Sequence, residues 1–238
     1  MRQPASNRAR ALEARQWIPQ MINYQALEEA KIAQEPYPHF VVPNFISGDT
    51  LKKVIRDFPK LDMAGLFLPE AAVYGPVFDK LLAELRSDKL RDIIGRKLGL
   101  DLAYRPPLIT LRSCCQAQDG QIHADSRFKM ATLLLYLNEP WAPKGGRLRV
   151  LRGPDDMNDY ADEVPPEGGT LFCFKVQPNS WHGHEPFVGP RRYVMLNYCR
   201  DEEVLRREEA RHRLSGNVKK LKRIFGIGKI PELAGAQS

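Results

Sequence analysis

Three of the five histidines in this 238-residue chain fall in two short segments whose spacing could do metal chemistry. In Gln121–Asn138, QIHADSRFKMATLLLYLN, His123 and Asp125 stand two residues apart, ahead of an apolar run rich in Leu, Thr and Tyr. On a strand, side chains at i and i+2 share a face. An imidazole nitrogen and a carboxylate oxygen would then occupy adjacent corners of a metal's coordination sphere. A third corner needs a distant residue, and NSWHGHEPF offers His182 or His184. Two imidazoles and one carboxylate on one face of an octahedron leave three positions open, which suits non-heme Fe(II) oxygen chemistry. A surface histidine near a turn aspartate gives the same short pattern, so the surrounding elements must decide.

Those elements are strands. From about Tyr104 to Cys199, apolar runs alternate with turn clusters: LITLRSCC, ATLLLYLN, GRLRVLR, GTLFCFKV and RRYVMLNYC. Strand-sized pieces separated by Gly, Pro and Asp predict an all-β sandwich or barrel, with no intervening helices to build a parallel sheet. The glycine pairs at 145–146 and 168–169 read as turns and lack phosphate-loop or dinucleotide spacing.

The flanks read as helical. Residues 9–34 are rich in Ala, Leu, Glu, Gln and Arg and predict one or two helices, stopped by the prolines of EPYPHF. FVVPNFIS predicts a short strand, and Ser47 or Asp49 caps a helix running to about Phe58. Residues 60–75 are irregular. From Val77, VFDKLLAELRSDKLRDIIGRKLG predicts two helices, with Ser87 as the cap between them and Gly99 as the stop. After Cys199, DEEVLRREEARHRL predicts a charged helix, broken at Ser215-Gly216-Asn217. In the VKKLKRIFGIGK that follows, Val218, Leu221, Ile224 and Phe225 share one face. This stripe is expected to pack on its own domain, the alternative being contact with nucleic acid or an anionic surface. The organisation expected is a mostly helical region over 1–100 packed on the core, a β core over 101–200, and a basic helical tail over 201–238.

Composition limits the classes. The net charge of +7 and pI near 9.3 favour acidic partners. The excess sits at the ends, however, with four Arg against one Glu in residues 1–16 and five basic side chains without an acid in 217–229. No stretch approaches the roughly 20 apolar residues that span a bilayer. The basic N-terminus lacks an apolar secretory core, so a cytoplasmic protein is expected. Cys114, Cys115, Cys173 and Cys199 show no CxxC spacing and read as reduced, buried thiols.

The segment GGTLFCFKVQPNSWHGHEPFVGPRRYVMLNYC, taken with HADSRFKMATLLLYLNEPW and GGRLRV, resembles the Fe(II)/2-oxoglutarate-dependent dioxygenases of the prolyl-hydroxylase-like group. The family pattern is His-x-Asp, a Tyr-Leu-Asn strand, a Gly-Gly-x-Leu strand, then a late His with a basic residue about ten positions on. It is met in order across about residues 104–200. The resemblance implies an α+β chain with a double-stranded β-helix (jelly-roll) core, N-terminal helices and a C-terminal helical tail. It implies Fe(II) held by His123, Asp125 and His182 as the catalytic centre. His182 is preferred to His184 because Pro186 and Arg192 stand at the family's offsets from it. His184 is expected at the pocket mouth or in solvent.

Arg192 matches the family anchor of the 2-oxoglutarate C5 carboxylate, with Tyr136 sharing it and Thr132 a further cosubstrate contact. Along RRYVMLNYC only one of Arg191 and Arg192 can point inward. Leu133, Leu135 and Phe174 are expected to shield the site. The region before His-x-Asp, RSCCQAQDGQ, lacks the Tyr and Gly-rich turn of many prolyl hydroxylases. Arg112, Gln116 and Arg127 nearby are read as solvated, with substrate contact as the alternative. The activity implied is hydroxylation of an organic substrate, a prolyl peptide, amino acid or saccharide, with O2 consumed, succinate and CO2 released, and ascorbate as an accessory reductant. The competing reading is a non-catalytic metal-binding module of the same fold; Mn or Zn in place of iron is a further alternative.

Overall fold

The computed structural model of this chain describes residues 20–61 and 63–224, with side chains through residue 214. Local chemistry sets the helices. Helix α1 (Tyr24–Glu29) starts at Asn23, whose side chain accepts from the Ala26 N–H, and α2 (Gly48–Asp57) follows Ser47. Pro76 opens α3 (Pro76–Leu85), a position where its missing N–H costs nothing. Helix α4 (Asp88–Leu98) is capped by Ser87, whose hydroxyl accepts from the Leu90 N–H at 3.3 Å, and is ended by Gly99 in the left-handed region.

The strands are β1 (His39–Val42), β2 (Pro107–Cys115), β3 (Lys129–Tyr136), β4 (Leu148–Leu151), β5 (Tyr160–Val164), β6 (Leu171–Lys175), β7 (His182–Gly183) and β8 (Gly189–Cys199). They form a five-stranded sheet in the order β1-β6-β3-β8-β2 and a three-stranded sheet in the order β5-β4-β7. Every pairing is antiparallel. These are antiparallel sheets with a few helices.

Strand alternation divides the core into two layers. Leu133, Leu135, Val194, Leu196 and Tyr198 point to one side of the large sheet, where they meet Val54, Phe78, Leu81, Leu90 and Ile94 of the helices. Leu134, Tyr136, Phe172, Phe174 and Tyr193 point to the other side and pack with Leu148, Val150 and Val164 of the small sheet. The helices therefore back the large sheet, and its opposite face remains for a site between the sheets.

Three expectations are corrected. His123 and Asp125 do not lie within a strand: β3 begins only at Lys129, and His123 makes an isolated bridge to His182. The reason is the HADSRF segment itself, whose Asp, Ser and charged residues favour a turn before the apolar run. The break at Ser215-Gly216-Asn217 is also absent, since α5 runs from Glu202 to Ile224. Ser, Gly and Asn are weak helix formers, but with no proline among them the cost, about 1 kcal/mol for the glycine, does not stop a helix. Leu133 and Leu135 face the helices, so Leu134 takes the shielding place expected of them. The helix expected over 9–34 falls partly on residues outside those described, and the apolar stripe from Val218 lies outside the described side chains.

Candidate metal centre

His123 is carried by the loop before β3, and His182 is the first residue of β7. The two segments are tied together by reciprocal backbone bonds, His123 N–H to His182 O at 3.0 Å and His182 N–H to His123 O at 2.9 Å. This bridge brings the two imidazoles together, tilted at 53° with centroids 4.3 Å apart. Asp125 lies two residues beyond, and one ligand atom from each of His123, Asp125 and His182 falls within 4.8 Å of the others. Two imidazoles and a carboxylate so placed could converge on one ion.

Each histidine is already set in the tautomer a ligand needs. His123 Nδ1 lies 2.8 Å from the Gln121 carbonyl and His182 Nδ1 lies 2.9 Å from the Ser180 carbonyl. A carbonyl only accepts, so Nδ1 carries the proton and Nε2 keeps its lone pair. Burial, reinforced by neighbouring His123 and opposed by Asp125, pushes His182 down to about 4, which leaves it neutral near pH 7. Phe174 packs on this ring at 4.9 Å between centroids.

Asp125 is nearly buried and doubly held: Lys129 Nζ donates to Oδ1 at 2.8 Å and Thr132 Oγ1 donates to Oδ2 at 2.5 Å. Burial works to raise its pKa, but the Lys129 cation, with His182 and the two donors, draws it down to about 2. The Thr132 hydroxyl also lies 2.8 Å from the Asn197 amide. The atom facing Thr132 is Asn197 Oδ1, while the Asn197 NH2 has no partner; with the one hydroxyl proton committed to the carboxylate, turning the amide over lets that NH2 donate to Thr132. In that orientation Asn197, Thr132 and Asp125 form a relay of donors ending on the carboxylate. Thr132, expected as a cosubstrate contact, lines the cavity with its hydroxyl proton already engaged by Asp125.

The triad opens into a cavity of about 210 Å³ whose wall includes Arg112, Lys129, Leu134, His184, Arg191 and Tyr193. Arg192 is not in that wall. The register pairs Tyr136 with Tyr193 across β3 and β8, so these tyrosines and Arg191 share the inner face, and Arg192 falls on the other. Arg192 enters the structure through its backbone, its N–H donating to Asn138 Oδ1 at 2.6 Å. The inward arginine is therefore Arg191, nine positions after His182, and the expectation for Arg192 is corrected.

Arg191 is only 3% exposed. Its Nε donates to the Gly146 carbonyl at 2.8 Å, and its guanidinium carbon lies 5.3 Å from the Tyr136 ring centre and 5.5 Å from that of Tyr193. Its Nη2 and the Tyr136 hydroxyl are both buried without a hydrogen-bond partner. Burial pushes Tyr136 up to about 12, with Arg191 pulling the other way, so the hydroxyl keeps its proton. Arg191 lines the cavity and the fully buried Tyr136 lies behind that wall; each unmet donor costs about 1–3 kcal/mol, and a carboxylate reaching Arg191 would satisfy a buried cation.

Gly146 holds the carbonyl that seats Arg191. It lies at φ +76°, and a Cβ there would stand 2.8 Å from Trp141 and 3.2 Å from Phe187. His184 is buried and lines the cavity, donating from Nδ1 to the Glu185 carbonyl at 2.8 Å. Arg112 is not solvated: its side chain is 14% exposed, ion-paired with Asp119 and part of the cavity wall. The roles of Lys129, Asn197 and Gly146 escape sequence reasoning. Only the apolar pattern of β3 and the positive-φ glycine turn hint at them, and neither names a partner.

Residues 112–200 match the family model described as the 2OG-Fe(II) oxygenase superfamily. Among solved structures, the chain is similar to a prolyl-4-hydroxylase of Pseudomonas putida, with 21% identity, 69% of this chain and 93% of that one covered, and a TM-score of 0.48. It is also similar to a Trichoplax adhaerens prolyl hydroxylase solved with a hypoxia inducible factor oxygen degradation domain peptide fragment, with 18% identity, 68% and 83% covered, and a TM-score of 0.50. No curated protein matches. The order of motifs and the donor set of the cavity are in keeping with that match over residues 112–200, and the cofactors of that superfamily are Fe(II) and 2-oxoglutarate.

Proposed function

We propose that this chain is an Fe(II)- and 2-oxoglutarate-dependent hydroxylase in which His123, Asp125 and His182 hold the iron, and Arg191 with Tyr136 holds the far carboxylate of 2-oxoglutarate. The observation that carries this reading is one cavity lined by both the His-Asp-His triad and the buried, unmet Arg191 guanidinium, with the unmet Tyr136 hydroxyl on the ring beside it. When bound, iron and 2-oxoglutarate supply an O2-dependent oxidation that hydroxylates the substrate and releases succinate and CO2.

The protein's own part is positioning and shielding. His123 and His182 present Nε2 lone pairs because their Nδ1 protons are committed to carbonyls. Asp125 stays ionised under the Lys129 and Thr132 donors. Arg191, fixed by Gly146 and by the two tyrosine rings, offers a planar fork to a carboxylate, which an ammonium cannot do. Leu134, Leu148 and Met195 give the cavity an apolar section of wall that limits water at the reacting centre.

On this reading the two sheets are the walls of a double-stranded β-helix over residues 101–200. The described residues of the 1–100 region back it with helices and add β1 to the large sheet, and α5 begins the 201–238 region. The substrate is an organic molecule presenting a C–H bond to a small cavity: a prolyl or other peptide side chain, an amino acid or a saccharide. Four free, buried thiols suit a reducing cytoplasm. The test is turnover of 2-oxoglutarate to succinate with Fe(II) and O2 in wild type and in Arg191→Ala and Arg192→Ala. Loss in the first with retention in the second supports the reading, and equal turnover in all three would remove Arg191 from its role.

A further inference from the structure

Asp125 is held at both oxygens by donors of different kinds. Thr132 is neutral and fixed from deeper in the sheet by Asn197, so its bond to Oδ2 is compatible with a carboxylate that also binds a cation. Lys129 brings a full positive charge to Oδ1 at 2.8 Å, and the two side chains are only 12% and 9% exposed. Water screens little there. A divalent ion gathered by the same carboxylate would lie within a few ångströms of that ammonium, and two cations at such range repel. The same lysine neutralises the carboxylate when no metal is present.

We propose that Lys129 is a placeholder counter-ion, which holds Asp125 ready in the metal-free protein and competes with the metal for it, so that the centre binds divalent ions more weakly than its three ligands alone would. The inference rests on the metal-centre reading above. It also assigns the two faces of the carboxylate different tasks, with Thr132 and Asn197 as the permanent seat and Lys129 as the exchangeable partner. A residue that merely positioned Asp125 would have the opposite effect on metal affinity when removed, and the sign is what separates the two roles.

The experiment is Mn(II) binding to the full chain without 2-oxoglutarate, read from the electron paramagnetic resonance of the free ion. The variants are Lys129→Met, Lys129→Gln and Lys129→Arg, with His182→Ala as the control that loses a ligand. Lys129→Met and Lys129→Gln are expected to bind Mn(II) at least about tenfold more tightly than wild type, whereas Lys129→Arg, which keeps the cation, stays within about threefold of it. The metal-free forms of the first two are expected to melt at lower temperature than wild type, with the deficit reduced once loaded. For a variant that folds only when loaded, chelator competition starting from the Mn(II) form reads the same ratio. Binding no tighter than wild type in both Lys129→Met and Lys129→Gln would overturn the proposal while leaving the metal centre standing. No Mn(II) binding by wild type would overturn both.

Discussion

The chemistry at this site is decided by which polar atoms lack partners. Arg191 Nη2 and Tyr136 Oη are buried and unmet, whereas the Thr132 hydroxyl is fully engaged. Arg191→Ala is accordingly expected to weaken 2-oxoglutarate binding by about 100-fold, the loss of a buried charge-assisted pair worth roughly 3 kcal/mol. Arg192→Ala should change it by less than about threefold, within the ±0.5 kcal/mol of an uninvolved surface substitution. Calorimetric titration of the Mn(II)-loaded protein distinguishes them. Thr132→Val keeps the shape but removes the donor to Asp125 and strands Asn197. It is expected to cost about 1–3 kcal/mol of stability by urea unfolding and to weaken metal binding. The residue types His-x-Asp and a distant His are legible in the chain itself, because they are the chemistry. The choice between Arg191 and Arg192 is not. Alternation says that one of them points inward, but the parity is set by the pairing of Tyr136 with Tyr193 across β3 and β8, a long-range contact.

At the scale of elements, the site is two loops clamped by one bridge and backed by one glycine turn. The His123–His182 backbone pair brings both imidazoles to the same end of the small sheet. The Gly145-Gly146 turn delivers the carbonyl that orients Arg191. Gly146→Ala introduces a Cβ where φ is +76° and Trp141 stands 2.8 Å away. It is expected to raise the KM for 2-oxoglutarate at least about tenfold while leaving Mn(II) affinity within about threefold, together with a stability loss of roughly 1–3 kcal/mol. Unchanged KM would mean that Arg191 keeps its orientation without the turn. Helices α3 and α4 are legible because Pro76, Ser87 and Gly99 act locally. Strand β5, YADEV, is not, since its polar residues hide a pairing to β4 that only the folded sheet supplies. The position of His-x-Asp ahead of β3 is equally opaque, as apolar alternation marks the strand but not its first residue.

Taken as a whole, the molecule is a layered arrangement of helices, large sheet and small sheet, with one layer of apolar contact on each side of the large sheet. The helix side holds the larger apolar cluster, and the inner side holds the cavity with the His-Asp-His group. A large-to-small change on the helix side, Ile94→Ala, is expected to cost about 2–5 kcal/mol of stability without altering cosubstrate affinity in the folded fraction. Among the described residues no helix is long and apolar enough to cross a membrane. A metal that binds only the folded state stabilises it by about 2.7 kcal/mol at a hundred times its Kd. Mn(II) at that excess should therefore raise the melting temperature by roughly 5–10 °C, and a chelator should reverse the rise. The fold class and strand-rich middle of the chain are legible from its punctuation and alternation; the layering that hides one arginine and presents its neighbour is not. The most direct test of the account is anaerobic absorbance of the Fe(II)-loaded protein as 2-oxoglutarate is added, in wild type, His182→Ala and Arg191→Ala. The account predicts a visible charge-transfer band that requires both iron and 2-oxoglutarate, disappears in His182→Ala, and needs far more 2-oxoglutarate in Arg191→Ala. Absence of the band in wild type, with the iron left free in solution, would contradict it.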